Sequence, residues 1–258
     1  QTEAVVSADC QKLCDSLLGA KVTIPTGTMF SSDRLLKILE LVRFRSEARI
    51  FRDVTPLLVP SPELLYIDGH DSLEHVREAI DAEWTNCEPI CGPQPKPDLT
   101  IGIAATAFTD EEIETMRLNC LHTCEILPSE RIYCPFLICE AKGNRGTIEE
   151  ADRQGMHAAS IAVLSIVQLF TNISAIDEVD GRILAFSVSH NKEIIKIFGH
   201  FAVVRDGSPR YFRRRVFVTD FAEDVAVGQW HKTYGVVSAI YKNFYPQHLA
   251  RIKSALSR

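Results

Sequence analysis

Two short segments of the sequence carry the residue types needed to bind a divalent cation and activate a water molecule. Asp98 precedes the largely apolar run 99–103, and Glu140 and Lys142 close the apolar run 133–139. Both runs are typical of β-strands, in which side chains alternate between faces, so Glu140 and Lys142 point to the same side. Carboxylate oxygens bind Mg²⁺ and Mn²⁺, and a bound cation lowers the pKa of water. The pattern therefore predicts a Mg²⁺ or Mn²⁺ site at adjacent strand ends.

The charge of each residue suggests its role at such a site. Asp98 and Glu140 are the candidate ligands, Lys142 would orient the water or offset charge near a phosphate, and Glu47 is the candidate third ligand. A simpler interpretation stays open for each: Asp98 as a loop cap, Glu140 with Lys142 as a structural ion pair, and Glu47 as a surface partner of Arg43. The sequence favours the metal site but does not exclude these alternatives.

Polar residues follow Lys142 at the start of a predicted helix. Arg153, Gln154 and His157 lie in its first turns, where residues three or four apart share a face. Arg153 and His157 are therefore candidates for substrate binding, and Gln154 for holding the water or the backbone. The alternative is ordinary solvation of a helix start.

Two arginine clusters are candidates for contacts with a polyanion. One contains Arg213 and Arg214, the predicted substrate-binding residues, together with Arg210, Arg215, Tyr211 and Phe212; the other contains Arg43, Arg45, Arg49 and Arg52. Arginine beside aromatic residues can contact both backbone and bases, although such runs also occur on solvated faces. The net charge of −6 argues against a general DNA-coating role, so any nucleic-acid contact must use local basic patches.

Composition and cysteine usage limit the class of protein. The 258 residues are 46% hydrophobic and 24% charged, which is typical of globular proteins, and no apolar run reaches membrane-spanning length. Eight cysteines include three Cys-x3-Cys pairs, and we expect mostly free thiols in a reducing compartment, cytoplasmic or nuclear. The less favoured alternatives are disulfides and zinc held by Cys87, Cys91, Cys120 and Cys124, with His122 as a substitute. Secretion stays open because the chain starts at Gln1, and the oligomeric state is not predicted.

The elements that position these residues can be read from periodicity and capping signals. Helices are predicted at about 9–18, 33–54, 72–83, 110–121, 148–170, 222–243 and 246–257, with irregular structure over 55–71. Strands are predicted around the two site segments and over 183–189, 194–204 and 211–218, the first two of these forming a hairpin. We expect one α/β domain over 1–258, with an N-terminal extension (1–30) and a core (31–258).

The chain resembles a family of fungal proteins classed as PD-(D/E)XK nuclease-like. The resemblance runs from about residue 45 to the C-terminus and rests on segments kept in the family's order: 95–98, 135–142, 151–154 with His157, 183–190 and 197–201. It implies a restriction-endonuclease-like mixed central sheet flanked by helices, with extra helices at both ends. It also implies Asp98, Glu140 and Lys142 as the core site, Glu47 as the helix acid and Gln154 as the accessory residue.

These observations together predict a metal-dependent nuclease that acts on DNA, with RNA as the second choice. Two alternatives remain: a catalytically quiet effector or interaction module, and an enzyme of other chemistry that uses the same acidic pocket on a small molecule. Fold alone does not separate them, because one fold can carry many functions.

Overall fold

The computed structural model describes residues 7–21, 30–120, 124–223 and 229–258. Its centre is a six-stranded mixed β-sheet in which the strands lie in sequence order. The strands are β1 (Val76–Ile80), β2 (Leu99–Ala104), β3 (Ile132–Ala141), β4 (Ile183–His190), β5 (Ile194–Arg205) and β6 (Ser208–Asp220). All neighbouring pairs are antiparallel except β3 and β4, which are parallel. The expected α/β class with a mixed central sheet is therefore confirmed.

The described helices surround this sheet. They are α1 (Ala8–Leu18), α2 (Ser32–Val42), α3 (Glu47–Asp53), α4 (Thr55–Leu58), α5 (Pro62–Ile67), α6 (Asp110–Asn119), α7 (Ile148–Asn172), α8 (Gln229–Ala239) and α9 (Tyr245–Leu256). Parallel strands need a long crossover connection, and α7 supplies it between β3 and β4. Thr147 and Glu150 start α7 with a capping box, as Thr109 and Glu112 do for α6.

β3 and β4 lie at the centre of the sheet, and their burial agrees with that position. Every residue of both strands is buried, which is expected where a sheet is covered on both faces. Among the described residues, α7 is the one helix long and apolar enough to cross a membrane, but 61% of its apolar window is buried inside the molecule. That burial is the behaviour of a core helix.

Three predicted elements near the site are wrong. The predicted helix 72–83 contains strand β1 instead, because pairing with β2 overrides an apolar spacing that fits either structure. The predicted helix 33–54 is interrupted between Val42 and Glu47, so Glu47 begins α3. The segment 55–71 is not irregular throughout, since Pro56 and Pro62 lie in the first turns of α4 and α5, where proline is tolerated.

The C-terminal helices also differ in detail from the prediction. Helix α8 continues through a π-helical turn, Ile240–Phe244, into α9 without a break. Pro246 lies at the beginning of α9, where it removes little hydrogen bonding. The first residues of the predicted helix 222–243 include 224–228, which lie outside the described residues.

Candidate active site

The pairing of β2 with β3 places Asp98 opposite Glu140. Leu99 pairs with Cys139 in the antiparallel register, so the next pair outward is Asp98 and Glu140. Directly opposite residues share a face of the sheet. The Asp98 Oδ2 atom accepts a hydrogen bond of 2.7 Å from the backbone N–H of Ala141. This bond fixes the Asp98 carboxylate beside the end of β3.

Lys142 continues β3 and is held from two sides. Its backbone N–H donates to the carbonyl of His190 on β4 at 2.9 Å, and its Nζ donates to Glu47 Oε1 at 3.0 Å. Gly143 permits this arrangement, because a Cβ there would lie 2.5 Å from the Glu47 backbone nitrogen. The interruption between α2 and α3 thus brings Glu47 to the end of β3.

Burial and like charge perturb both carboxyl groups. Glu140 is only 4% exposed; burial and, next, the charge of Asp98 raise its pKa to about 8, although Lys142 acts in the opposite direction. Burial also raises the pKa of Asp98, and the hydrogen bond from Ala141 partly offsets that effect. The site therefore holds two carboxyl groups that ionise together only at a cost, and a cation between them would remove that cost.

The donor set around these acids fits a hard divalent cation. Ser189 on β4 pairs with Glu140 in the parallel register and is fully buried. Its Oγ atom has no hydrogen-bond partner, and the Glu140 carboxylate accepts no hydrogen bond within the described part of the chain. Gly155 brings α7 close above them, since a Cβ there would lie 3.6 Å from Glu140 Cγ. Unpartnered oxygens beside two carboxylates suit Mg²⁺ or Mn²⁺.

Glu47 does not complete a three-acid group. Over the described ranges, no set of three or more His, Cys, Asp or Glu side chains is placed to hold a metal ion. The Glu47 carboxylate turns instead to Lys142, whose side chain is 10% exposed against 41% for that of Glu47. Asp98 and Glu140 are therefore the two carboxylates that face each other, and Glu47 positions the lysine.

The predicted accessory residues are only partly brought to this site. Arg153 and Gln154 are exposed on α7, while Gly155 is the residue of that turn that faces the acids. His157 is half-buried, its Nε2 atom is buried without a hydrogen-bond partner among the described residues, and burial lowers its pKa. The structure thus brings together Asp98, Glu140, Lys142 and Glu47, and leaves Gln154 on the solvent side.

The predicted substrate-binding arginines of β6 do not form one surface. Arg213 makes a bidentate ion pair with Asp152 of α7, at 2.7 and 3.1 Å, and its guanidinium lies 4.3 Å from the ring centroid of Phe198. Arg214 donates to Gln11 of α1. Adjacent strand residues point to opposite faces, which is why the cluster seen in the sequence is divided.

All eight cysteines lie within the described residues, and none of them forms a disulfide. Cys124 interacts with Cys120 and Cys134, and these contacts together with burial raise its pKa well above the ordinary value. Cys87 instead donates to the Trp84 carbonyl and lies beside Gln94, and Cys91 is exposed. His122, the proposed substitute zinc ligand, lies outside the described residues. The absence of structural zinc remains a prediction.

Two features of the site escaped the sequence reasoning. Ser189 is inconspicuous in sequence, and only the parallel pairing of β3 with β4 places it beside Glu140. Gly143 belongs to the turn after Lys142, but its role depends on the distant residue Glu47. The Gly143-Asn144-Arg145-Gly146 sequence was the available signal, since such turns often permit close backbone approach.

Fold and site together define a mixed α/β protein with two facing carboxyl groups and a buried lysine at the end of a central strand. Residues 34–256 match the family described as a domain of unknown function (DUF7924), so the chain belongs to that family. No curated protein and no solved structure matches the chain.

Proposed function

We propose that this protein is a metal-dependent phosphodiesterase of the nuclease type, acting on DNA or, as the second choice, on RNA. The observation that carries the proposal is the buried Glu140 carboxyl group, which faces Asp98 and shares its strand face with Lys142. A restriction-endonuclease-like core, with Asp98 and Glu140 at neighbouring strand ends beneath α7, is part of the same proposal. Perturbed, clustered titratable groups of this kind favour a functional site over a structural ion pair.

The two carboxylates would hold a Mg²⁺ or Mn²⁺ ion, with the Ser189 hydroxyl as a neighbouring oxygen. When bound, such an ion polarises a phosphoryl oxygen and lowers the pKa of water. Lys142 supplies a fixed positive charge beside these acids, where it stabilises negative charge on a phosphate and orients the attacking water. Glu47 holds the Lys142 ammonium at 3.0 Å and so preorganises it.

A cleavage panel tests the proposal. Purified protein is incubated with supercoiled, linear and single-stranded DNA and with RNA, in Mg²⁺, in Mn²⁺ and in EDTA. We expect cleavage of at least one substrate with a divalent cation and none in EDTA. Failure to cut any of them would reject the proposal.

The Lys142→Met variant tests whether cleavage belongs to this site. We expect this variant to cleave about 10²–10³-fold more slowly than the wild type, the usual effect of removing one preorganised electrostatic group. Lys253→Met is the matched control, because Lys253 makes a similar ion pair with Glu112, at 2.9 Å, away from the acids. A Lys142→Met variant that cuts as fast as the control would assign the activity elsewhere.

The two other functions make different predictions in the same panel. An interaction module would cut nothing and gain no thermal stability from Mn²⁺. An enzyme acting on a small molecule would gain stability from Mn²⁺ but leave every nucleic acid intact. The pair formed by buried Glu140 and half-buried Asp98 favours both metal-dependent functions over the interaction module, which has no need of it.

A further inference from the structure

A cleft opens beside Lys142, between the α2–α3 connection and the turn after β3. Its volume is about 480 Å³, within the usual range of ligand sites, and it is lined by Phe44, Arg45, Ser46, Glu47, Gly143, Asn144, Arg145 and Gly146. Glu47 in this lining is the residue that holds Lys142. A ligand in the cleft would therefore lie next to the Glu47 carboxylate that holds the proposed catalytic lysine.

Phe44 gives this cleft an exposed aromatic surface. The residue is 74% exposed, and the guanidinium of Arg43 lies 5.2 Å from its ring centroid. An isolated exposed apolar side chain needs no explanation. An exposed ring that lines a cleft and lies beside an arginine is the combination on which unstacked nucleobases are bound.

The cleft also carries positive charge that is not neutralised. Arg45 and Arg145 are exposed on its two sides, and neither side chain makes an ion pair or hydrogen bond with the described residues. Arg49 and Arg52, from the same sequence cluster, are both paired with Asp53. In a chain of net charge −6, Arg45 and Arg145 are thus available for phosphates at this position.

We propose that the cleft binds a single-stranded stretch of nucleic acid, with one unpaired base stacked on Phe44 and neighbouring phosphates at Arg45 and Arg145. The proposal rests on the proposed nuclease function and specifies its substrate. Bases within an intact duplex are stacked on one another and do not offer a free face to Phe44. The protein should therefore bind single strands, loops or frayed ends in preference to continuous duplex.

Fluorescence anisotropy in EDTA tests the proposal without cleavage. The probes are labelled oligothymidylate, oligouridylate and a duplex, each about 15 nucleotides long, close to the largest site sizes of single-strand binders. We expect Phe44→Ala to weaken single-strand binding about tenfold, which lies within the usual range for one stacked base. Phe44→Trp should retain the affinity. Leu41→Ala, which alters a residue 66% exposed outside the cleft lining, should match the wild type.

Salt dependence tests the arginines separately. Each phosphate contact on a single strand contributes about 0.7 to the slope of log affinity against log salt, so an Arg45→Gln/Arg145→Gln double variant should reduce that slope by about 1.4. Arg52→Gln, at the exposed arginine paired with Asp53, is the control and should leave the slope unchanged.

Three results would overturn the proposal: a Phe44→Ala variant within about twofold of wild type on single strands, an equal loss on duplex, or no binding to either single strand. The relative affinities for the two single strands show whether DNA or RNA is the source of the ligand. Phe44-dependent binding without any cleavage would keep the cleft and reject the nuclease. Cleavage that does not depend on Phe44 would keep the nuclease function and reject the cleft as the binding site for the base.

Discussion

Replacing Glu140 with glutamine should stabilise the protein at high pH. The glutamate is buried, and its pKa is raised from 4.5 to about 8, chiefly by burial and next by Asp98. Between these pH values the folded chain keeps a proton that the unfolded chain has lost, so wild-type stability falls as pH rises through this window. Glutamine keeps the size and cannot ionise, so it removes this pH dependence.

The size of the effect follows from the same values. A pKa shift of one unit corresponds to about 1.36 kcal/mol. A pKa raised from 4.5 to about 8 therefore lowers the free energy of unfolding of the wild type by at most about 5 kcal/mol at pH 9. Burial also raises the pKa of Asp98, and the charge of Asp98 is itself one cause of the raised pKa of Glu140, so part of the cost belongs to the pair. We therefore expect the free energy of unfolding of Glu140→Gln to exceed that of wild type by about 2–5 kcal/mol at pH 9 and by less than about 1 kcal/mol near pH 5.

Guanidinium unfolding in EDTA at about pH 5, 7 and 9 measures this difference. Glu149→Gln is the matched control, because the Glu149 side chain is 61% exposed and the pKa of Glu149 is lowered. The difference in free energy of unfolding between Glu149→Gln and wild type should not grow over the same pH range. A Glu140→Gln variant that is no more stable than wild type at pH 9 would refute the burial argument.

Three further changes test other parts of the site. Asp98→Asn should weaken Mn²⁺ affinity measured by calorimetry, because it removes a negative ligand; unchanged affinity would place the ion elsewhere. Gly143→Ala should lower the free energy of unfolding, measured by chemical denaturation, by about 1–3 kcal/mol, since its Cβ would lie 2.5 Å from the Glu47 nitrogen. An unchanged free energy of unfolding would show that α3 need not approach β3. Arg213→Ala should lower thermal stability through loss of the Asp152 pair and leave the salt dependence of nucleic-acid binding unchanged; a smaller slope would restore Arg213 as a substrate contact.

The central strands could be predicted because local sequence determines them strongly. The run that becomes β3 is apolar on both faces, and β4 and β5 form the expected hairpin. The capping-box sequence at Thr109 marked the start of α6. Alternation along β3 places Glu140 and Lys142 on one face, whereas the facing of Asp98 and Glu140 depends on the pairing of β2 with β3.

What could not be predicted depends on contacts between distant segments. β1 is a strand because β2 pairs with it, although its apolar residues also fit a helix. Glu47 contacts Lys142 because the chain turns after Val42 and packs against Gly143, which is 96 residues further along the sequence than Glu47. Arg213 is neutralised by Asp152, a partner that its own cluster does not reveal.

The central claim is that water attacks a phosphodiester bond at the site formed by Asp98, Glu140 and Lys142. Mass spectrometry of oligonucleotide products, formed in ¹⁸O-labelled water with Mn²⁺, tests this claim most directly. The claim predicts one ¹⁸O atom on the new terminal phosphate with the wild-type protein and about 10²–10³-fold slower product formation with Lys142→Met. An intact oligonucleotide with wild type, or labelled product formed equally fast by both proteins, would contradict it.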